Sequence, residues 1–247
     1  MRIKSLLLSL SAIAALSAGM AHAASNLVSN GNFESTTNGT NKQLSSSITN
    51  DADRSTLTGW TSSNGNDGGY NFVLNSSIAT TDASAIWLKS ENNNWAKSAN
   101  GGNFFASDSQ YWPGVLSQTI TGLTAGSKYT LTFDTALAQQ VGFNGANSNN
   151  YWQVVFGNST QNSSALSIAS GGFSGWSTSS MTFTATGATQ VLSFLAQGSP
   201  GAPPFLLLDS VSLTAAVPEP STWGMMAVGL GLVGFATRRR TVARALN

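Results

Sequence analysis

Between residues 24 and 216 the apolar side chains recur at every second position in short runs, and almost no window carries helical period. The clearest run is 127–137. Tyr129, Leu131, Phe133 and Leu137 fall on one face, with Thr130, Thr132 and Asp134 on the other. That alternation is what a strand with one buried face requires. Just before it, Gly122 and Gly126 mark a turn between strands. The same pattern predicts strands at 70–74, 85–88, 103–106, 115–121, 151–157, 180–185, 190–196 and 205–214, separated by clusters of Gly, Asn, Ser and Pro. The long polar stretches 36–47 and 144–150 read as loops. The class this implies is all-β, an antiparallel sandwich or barrel.

The two ends follow different rules. Arg2 and Lys4 precede a short apolar run from Leu6 to Leu16, and Ala21-His22-Ala23 then offers the small residues a signal peptidase reads. We therefore expect a signal peptide at 1–23, removed before Ala24. At the other end Pro218-Glu219-Pro220 stops any regular element. A 17-residue apolar segment, 221–237, and then Arg238-Arg239-Arg240 follow. Such a segment lies at the lower limit for spanning a bilayer, and the arginines should stay on the cytoplasmic side. The expected organisation is signal peptide 1–23, one domain at 24–216, and a tail at 217–247 with a short transmembrane helix.

The order Pro218-Glu219-Pro220, apolar helix and basic cluster closely resembles the PEP-CTERM sorting signal of Gram-negative bacteria. The resemblance implies recognition by an exosortase, a membrane transpeptidase-like enzyme, and an association with exopolysaccharide and biofilm. It further implies a precursor held transiently in the inner membrane, then release to the cell surface or extracellular matrix.

Several function classes are excluded by what the central domain lacks. The chain has no cysteine, and its one histidine, His22, lies in the expected signal peptide. Triads using His, Cys–His dyads, zinc sites and haem ligation are thus absent in their usual forms. Residues 24–216 carry five basic and nine acidic residues, a net charge of −4. That surface offers nucleic acid no basic stripe. Glu34 and Glu91 are the only glutamates of the domain, and nothing in the sequence places two acids across a cleft, so we expect no enzyme. The Asn64–Gly69 segment lacks a later bidentate Glu and reads as a turn rather than a calcium loop. Asp51-Ala52-Asp53 reads as a solvated loop.

Three blocks carry a second resemblance. The opening Asn26-Leu-Val-Ser-Asn-Gly-Asn-Phe-Glu34, the central 116–133 run and the closing Phe205-Leu-Leu-Leu-Asp-Ser-Val-Ser-Leu213 resemble galactose-binding-like jelly rolls. Similar blocks occur in carbohydrate-binding modules of the type four, nine and twenty-two kind. The fold this implies is an antiparallel jelly-roll β-sandwich. Asp209 shares strand parity with Phe205, Leu207, Val211 and Leu213, which places a carboxylate on the apolar face. In the resembled family an acid of the last strand and the Glu of the opening motif help hold a structural calcium ion, and those positions are Asp209 and Glu34 here. Two alternatives stand beside calcium: Asp209 accepting from backbone amides, or a bulge that breaks the alternation.

Trp60, Trp87, Trp95, Tyr111, Trp112, Tyr151, Trp152 and Trp176 are many rings for so polar a domain. Sugars present C–H faces that stack on indole and phenol. Trp95, Tyr111 and Trp112 sit in Asn- and Gln-rich surroundings, and Tyr151-Trp152 begin a strand in which one ring must face outward. Trp95, Tyr111, Trp112 and Trp152 are therefore the expected ligand-binding residues, with polysaccharide the expected partner. A structural or adhesive matrix protein of the same fold, without a sugar site, is the competing expectation.

Overall fold

The computed structural model describes residues 25–216 except 48, 49, 66, 91, 92 and 200, together with Gly229. The expected signal peptide, and the expected transmembrane helix apart from Gly229, lie outside the described residues. Among those residues no helix is long and apolar enough to cross a membrane.

The alternating runs become strands. In chain order they are β1 (Lys42–Leu44), β2 (Arg54–Ser55), β3 (Thr61–Ser63), β4 (Asn71–Asn75), β5 (Asn103–Asp108), β6 (Val115–Thr121) and β7 (Lys128–Gln139). They continue with β8 (Asn147–Phe156), β9 (Ser159–Asn162), β10 (Leu166–Ile168), β11 (Ser177–Thr184), β12 (Thr189–Gln197) and β13 (Pro204–Ala215). One sheet runs β11-β7-β13-β5-β4-β1-β2 and the other β10-β8-β12-β6-β3, with β9 added on β8. All pairings are antiparallel except the short β1–β2 pair. The molecule is an all-β two-sheet sandwich. Gly122 and Gly126 take left-handed φ of +77° and +81° in the turn from β6 to β7, as that turn demands.

The main core lies between the sheets and includes Phe33, Phe105, Phe133, Trp152, Phe194 and Leu206. A second core covers the outer face of the seven-stranded sheet. There Phe72, Phe104, Phe205 and Leu207 meet Ile86 and Leu88 of the long β4–β5 connection. The middle of this sheet is therefore buried on both faces, which is why Phe205-Leu206-Leu207-Leu208 reads as a continuous apolar run. Covering such a side chain contributes ~1.5–3 kcal/mol.

The opening and closing blocks dock on each other. Leu27 N–H donates to Leu213 C=O at 2.8 Å, and Val211 N–H to Gly31 C=O at 2.9 Å. Asn26 Oδ1 accepts from Leu213 N–H at 2.9 Å. A Cβ on Gly31 would stand 2.0 Å from the Val211 carbonyl oxygen, so no other residue permits this approach.

Some expectations change. Residues 85–88 are not a strand; the segment bends at 85 and 86 and pairs only through a single Leu88–Gln140 bridge. The 36–47 stretch contains β1, and β8 begins at Asn147 rather than Tyr151. These segments are held by amides rather than by apolar alternation, as with Asn150, which is wholly buried. In β13 the register shifts between Asp209 and Ser212, where Ser210 has φ of +57°. The bulge reverses the parity. Val211 and Leu213 enter the main core, whereas Phe205 and Leu207 belong to the outer one.

Candidate functional site

One end of the seven-stranded sheet gathers the exposed aromatics. There β5 ends at Asp108 opposite Phe205, and β7 ends at Gln139 opposite Pro204. The 85–89 segment crosses this end. Ile86 and Leu88 are buried, so alternation turns Trp87 and Lys89 together toward the other side. Backbone bonds fix the crossing: Lys89 N–H to Gln139 C=O at 2.8 Å and Val141 N–H to Trp87 C=O at 2.7 Å. Trp87 is 43% exposed. Its Nε1–H donates to Thr80 C=O at 3.0 Å, which fixes the ring.

A cavity of about 850 Å³ opens beside it, walled by Trp87, Lys89, Asn93, Val141, Ser170 and Phe173, among others. Asn93 Nδ2–H ties the two walls together, donating to Lys89 C=O at 2.6 Å and Gly171 C=O at 3.1 Å. Lys89 Nζ donates to Asn144 Oδ1 at 3.1 Å. Its stem lies over Gly171, whose φ of +72° suits glycine. Neither Trp87 nor this cavity stood among the expected binding residues. The sequence signal was present, since an outward residue between inward Ile86 and Leu88 is what alternation gives.

Tyr111 and Trp112, both expected, lie in the loop after β5 and are 62% and 49% exposed. Asp108 builds the loop by accepting from Gln110 N–H at 2.7 Å and Tyr111 N–H at 3.1 Å. Burial pushes the Asp108 carboxyl above its ordinary range, and the two N–H bonds only partly offset this. Tyr111 meets Tyr70 edge-on at 5.0 Å, and Tyr70 N–H donates to Trp112 C=O at 2.8 Å. Burial, then the charge of Asp108, raises the Tyr70 phenol. Gln110 Nε2–H reaches Gly198 C=O at 2.6 Å, so amides border this platform as well.

The other two expected rings behave differently. Trp95 is half-buried and packs on Phe173 at 4.8 Å and Phe104 at 6.2 Å, so much of its surface belongs to the outer core. Trp152 is wholly buried and cannot meet a sugar. Alternation in β8 sends Trp152 inward with Asn150, Val154 and Phe156 and leaves Tyr151 half-exposed. The Trp152 Nε1–H is shared between Thr135 Oγ1 at 3.0 Å and Leu207 C=O at 3.3 Å.

Asp209 is buried, but on the outer face, opposite Asp134. Its Oδ2 accepts from the Ser98 hydroxyl and its Oδ1 from Ser210 N–H at 2.6 Å. Burial is the main cause that pushes its carboxyl up to about 6, with the charges of Asp134 and Glu34 adding to it. Glu34 is exposed, and its Oε1 accepts from Asn103 N–H at 2.7 Å. The fold thus brings Glu34 and Asp209 within electrostatic reach. Among the described residues no group of three His, Cys, Asp or Glu could hold a metal, so a calcium ion there would draw on backbone or hydroxyl oxygens. Pro218, Glu219, Pro220 and Arg238–Arg240 lie outside the described residues.

Solved structures with similar backbones include a family 61 carbohydrate-binding module in complex with β-1,4-galactotriose. It is 14% identical, with 78% of this chain and 99% of that one covered and a TM-score of 0.43. A Stig cyclase from Fischerella sp. TAU is 18% identical over 80% of this chain and 100% of its own, also at 0.43. A protein described as CBM4 is 16% identical over 76% of this chain and 99% of its own, at 0.32. No curated protein sequence matches the chain. Residues 216–240 match the PEP-CTERM protein-sorting motif, and that motif implies an exported protein processed by an exosortase.

Proposed function

We propose that this protein is an exported, non-catalytic polysaccharide-binding component of an exopolysaccharide or biofilm matrix, built on a jelly-roll sandwich. The observation that carries the reading is the set of exposed rings at one end of the sheet. Trp87, Tyr111 and Trp112 are all substantially exposed, and the amides of Gln110, next to Tyr111, and of Asn144, bonded to Lys89, lie near them. Aromatic faces stack on sugar C–H surfaces while amides bond the hydroxyls. The sorting motif supports the location: a precursor held briefly in the inner membrane, cut by the exosortase, and released to the cell surface or matrix. A structural calcium ion held by Glu34 and Asp209 is part of the proposal. It is supported by a buried carboxylate whose pKa the charges of Asp134 and Glu34 raise further, a repulsion that a cation would relieve.

The test is retention of the exported protein on the host's own exopolysaccharide. Trp87→Ala combined with Tyr111→Ala and Trp112→Ala should reduce retention while the fold is kept. Unchanged retention would remove these rings from any site and favour a structural or adhesive matrix role instead.

A further inference from the structure

We propose that the Trp87–Lys89 cavity is a subsite for an acidic sugar, a carboxylate-bearing unit such as a uronate within a polysaccharide chain. The inference rests on the polysaccharide reading and adds the charge of the sugar.

Position is the first argument. Trp87 and Lys89 are two residues apart in an extended segment with Ile86 and Leu88 turned inward, so the indole and the ammonium stand side by side on one wall. A pyranose stacked on the indole would direct its ring substituents toward the ammonium.

The second argument is that, among the described residues, the ammonium has neutral company. Lys89 Nζ donates to the amide oxygen of Asn144 at 3.1 Å. No Asp or Glu among the described residues lines the cavity, and the ion pair formed among them joins Arg54 and Asp67 instead. An ammonium keeps two further protons to donate after that bond, which suits a carboxylate. The domain as a whole carries a net charge of −4, so it does not attract polyanions in general. Lys89, the cation among the described residues that line the cavity, is then the feature that would favour an acidic unit over a neutral one.

The remaining walls suit hydroxyls. Ser170 Oγ accepts from Gly145 N–H at 2.9 Å, which leaves its own proton for a sugar oxygen. The cavity, about 850 Å³, falls within the usual range for small-ligand pockets.

The experiment compares two probes with one backbone, polygalacturonate and its fully methyl-esterified form, in affinity electrophoresis of the exported protein at low and high salt. The wild type should bind polygalacturonate about fivefold more tightly than the ester at low salt, as expected of one partly exposed charge pair. High salt should erase the preference. Lys89→Gln should abolish the preference for polygalacturonate over the ester, and Lys89→Arg should retain it. Equal binding of both probes by the wild type, no binding of polygalacturonate, or a preference that survives Lys89→Gln would each overturn the acidic subsite. If Trp87→Ala weakens both probes equally while Lys89→Gln changes neither, the polysaccharide reading stands and the charge assignment falls.

Discussion

Replacing Asp209 by Asn tests whether a carboxylate in the outer core destabilises the fold. The side chain is wholly buried, and its ordinary value of 3.8 is raised to about 6. Between those values the folded chain holds more protons than the unfolded one, so this group's contribution to stability is fully present below pH 3.8 and is lost as pH rises through about 6. At ~1.36 kcal/mol per pH unit, the ionised form costs about 3 kcal/mol at pH 7. An Asn there keeps the Ser210 N–H bond through its oxygen and gives an N–H to Ser98 Oγ. In chelator at pH 7, Asp209→Asn should therefore raise the melting temperature by roughly 6–12 °C, and at pH 4 the difference should vanish. Asp108 titrates in the same sense, so the comparison between wild type and variant isolates Asp209, which a pH profile of the wild type alone does not. Calcium at a hundredfold excess over its dissociation constant should return ~2.7 kcal/mol to the wild type and nothing to the variant, closing the gap. Thermal and urea unfolding by circular dichroism would read both effects. A variant less stable than wild type in chelator at pH 7, with no narrowing at pH 4, would refute the reasoning: the charged hydrogen bonds from Ser98 and Ser210 would then outweigh the cost of burial.

Trp152→Phe deletes the Nε1–H shared by Thr135 and Leu207 and should cost about 1–3 kcal/mol in urea unfolding, with polysaccharide retention unchanged. Lost retention at full stability would return this ring to the surface. Ser210→Gly relieves a left-handed backbone and should raise the urea midpoint by the equivalent of about 1 kcal/mol; a lower midpoint would show that the bulge depends on the Ser210 side chain, which now accepts from Asn100. Mass spectrometry of protein recovered outside the cell should find no peptide from residues 225–238 attached to it. Finding one would make the tail an ordinary anchor.

The sequence by itself determined the class of fold and the sorting of the chain. Alternation along 128–134 and 115–121 survives in β7 and β6 because there each strand packs one face and leaves the other partly wet, so side-chain period alone states which residues are inside, whereas 135–139 of β7 are buried on both faces. The sorting motif was legible because recognition there depends on a linear order of residues. Three matters required the tertiary structure. A single extra residue at Ser210 moved Val211 and Leu213 to the opposite face from Phe205, since strand parity has no memory across a bulge. The packing of β8 against the other sheet turned Trp152 from an expected ligand ring to a core one, because in a strand with one ring on each face only the opposing sheet decides which face is covered. The cavity beside Trp87 joins Thr80, Trp87, Lys89, Ser90 and Asn93 to Val141 and residues 167–174. Only the docking of the long β4–β5 connection on the outer face of the sheet brings those segments together, and no spacing along the chain encodes that contact.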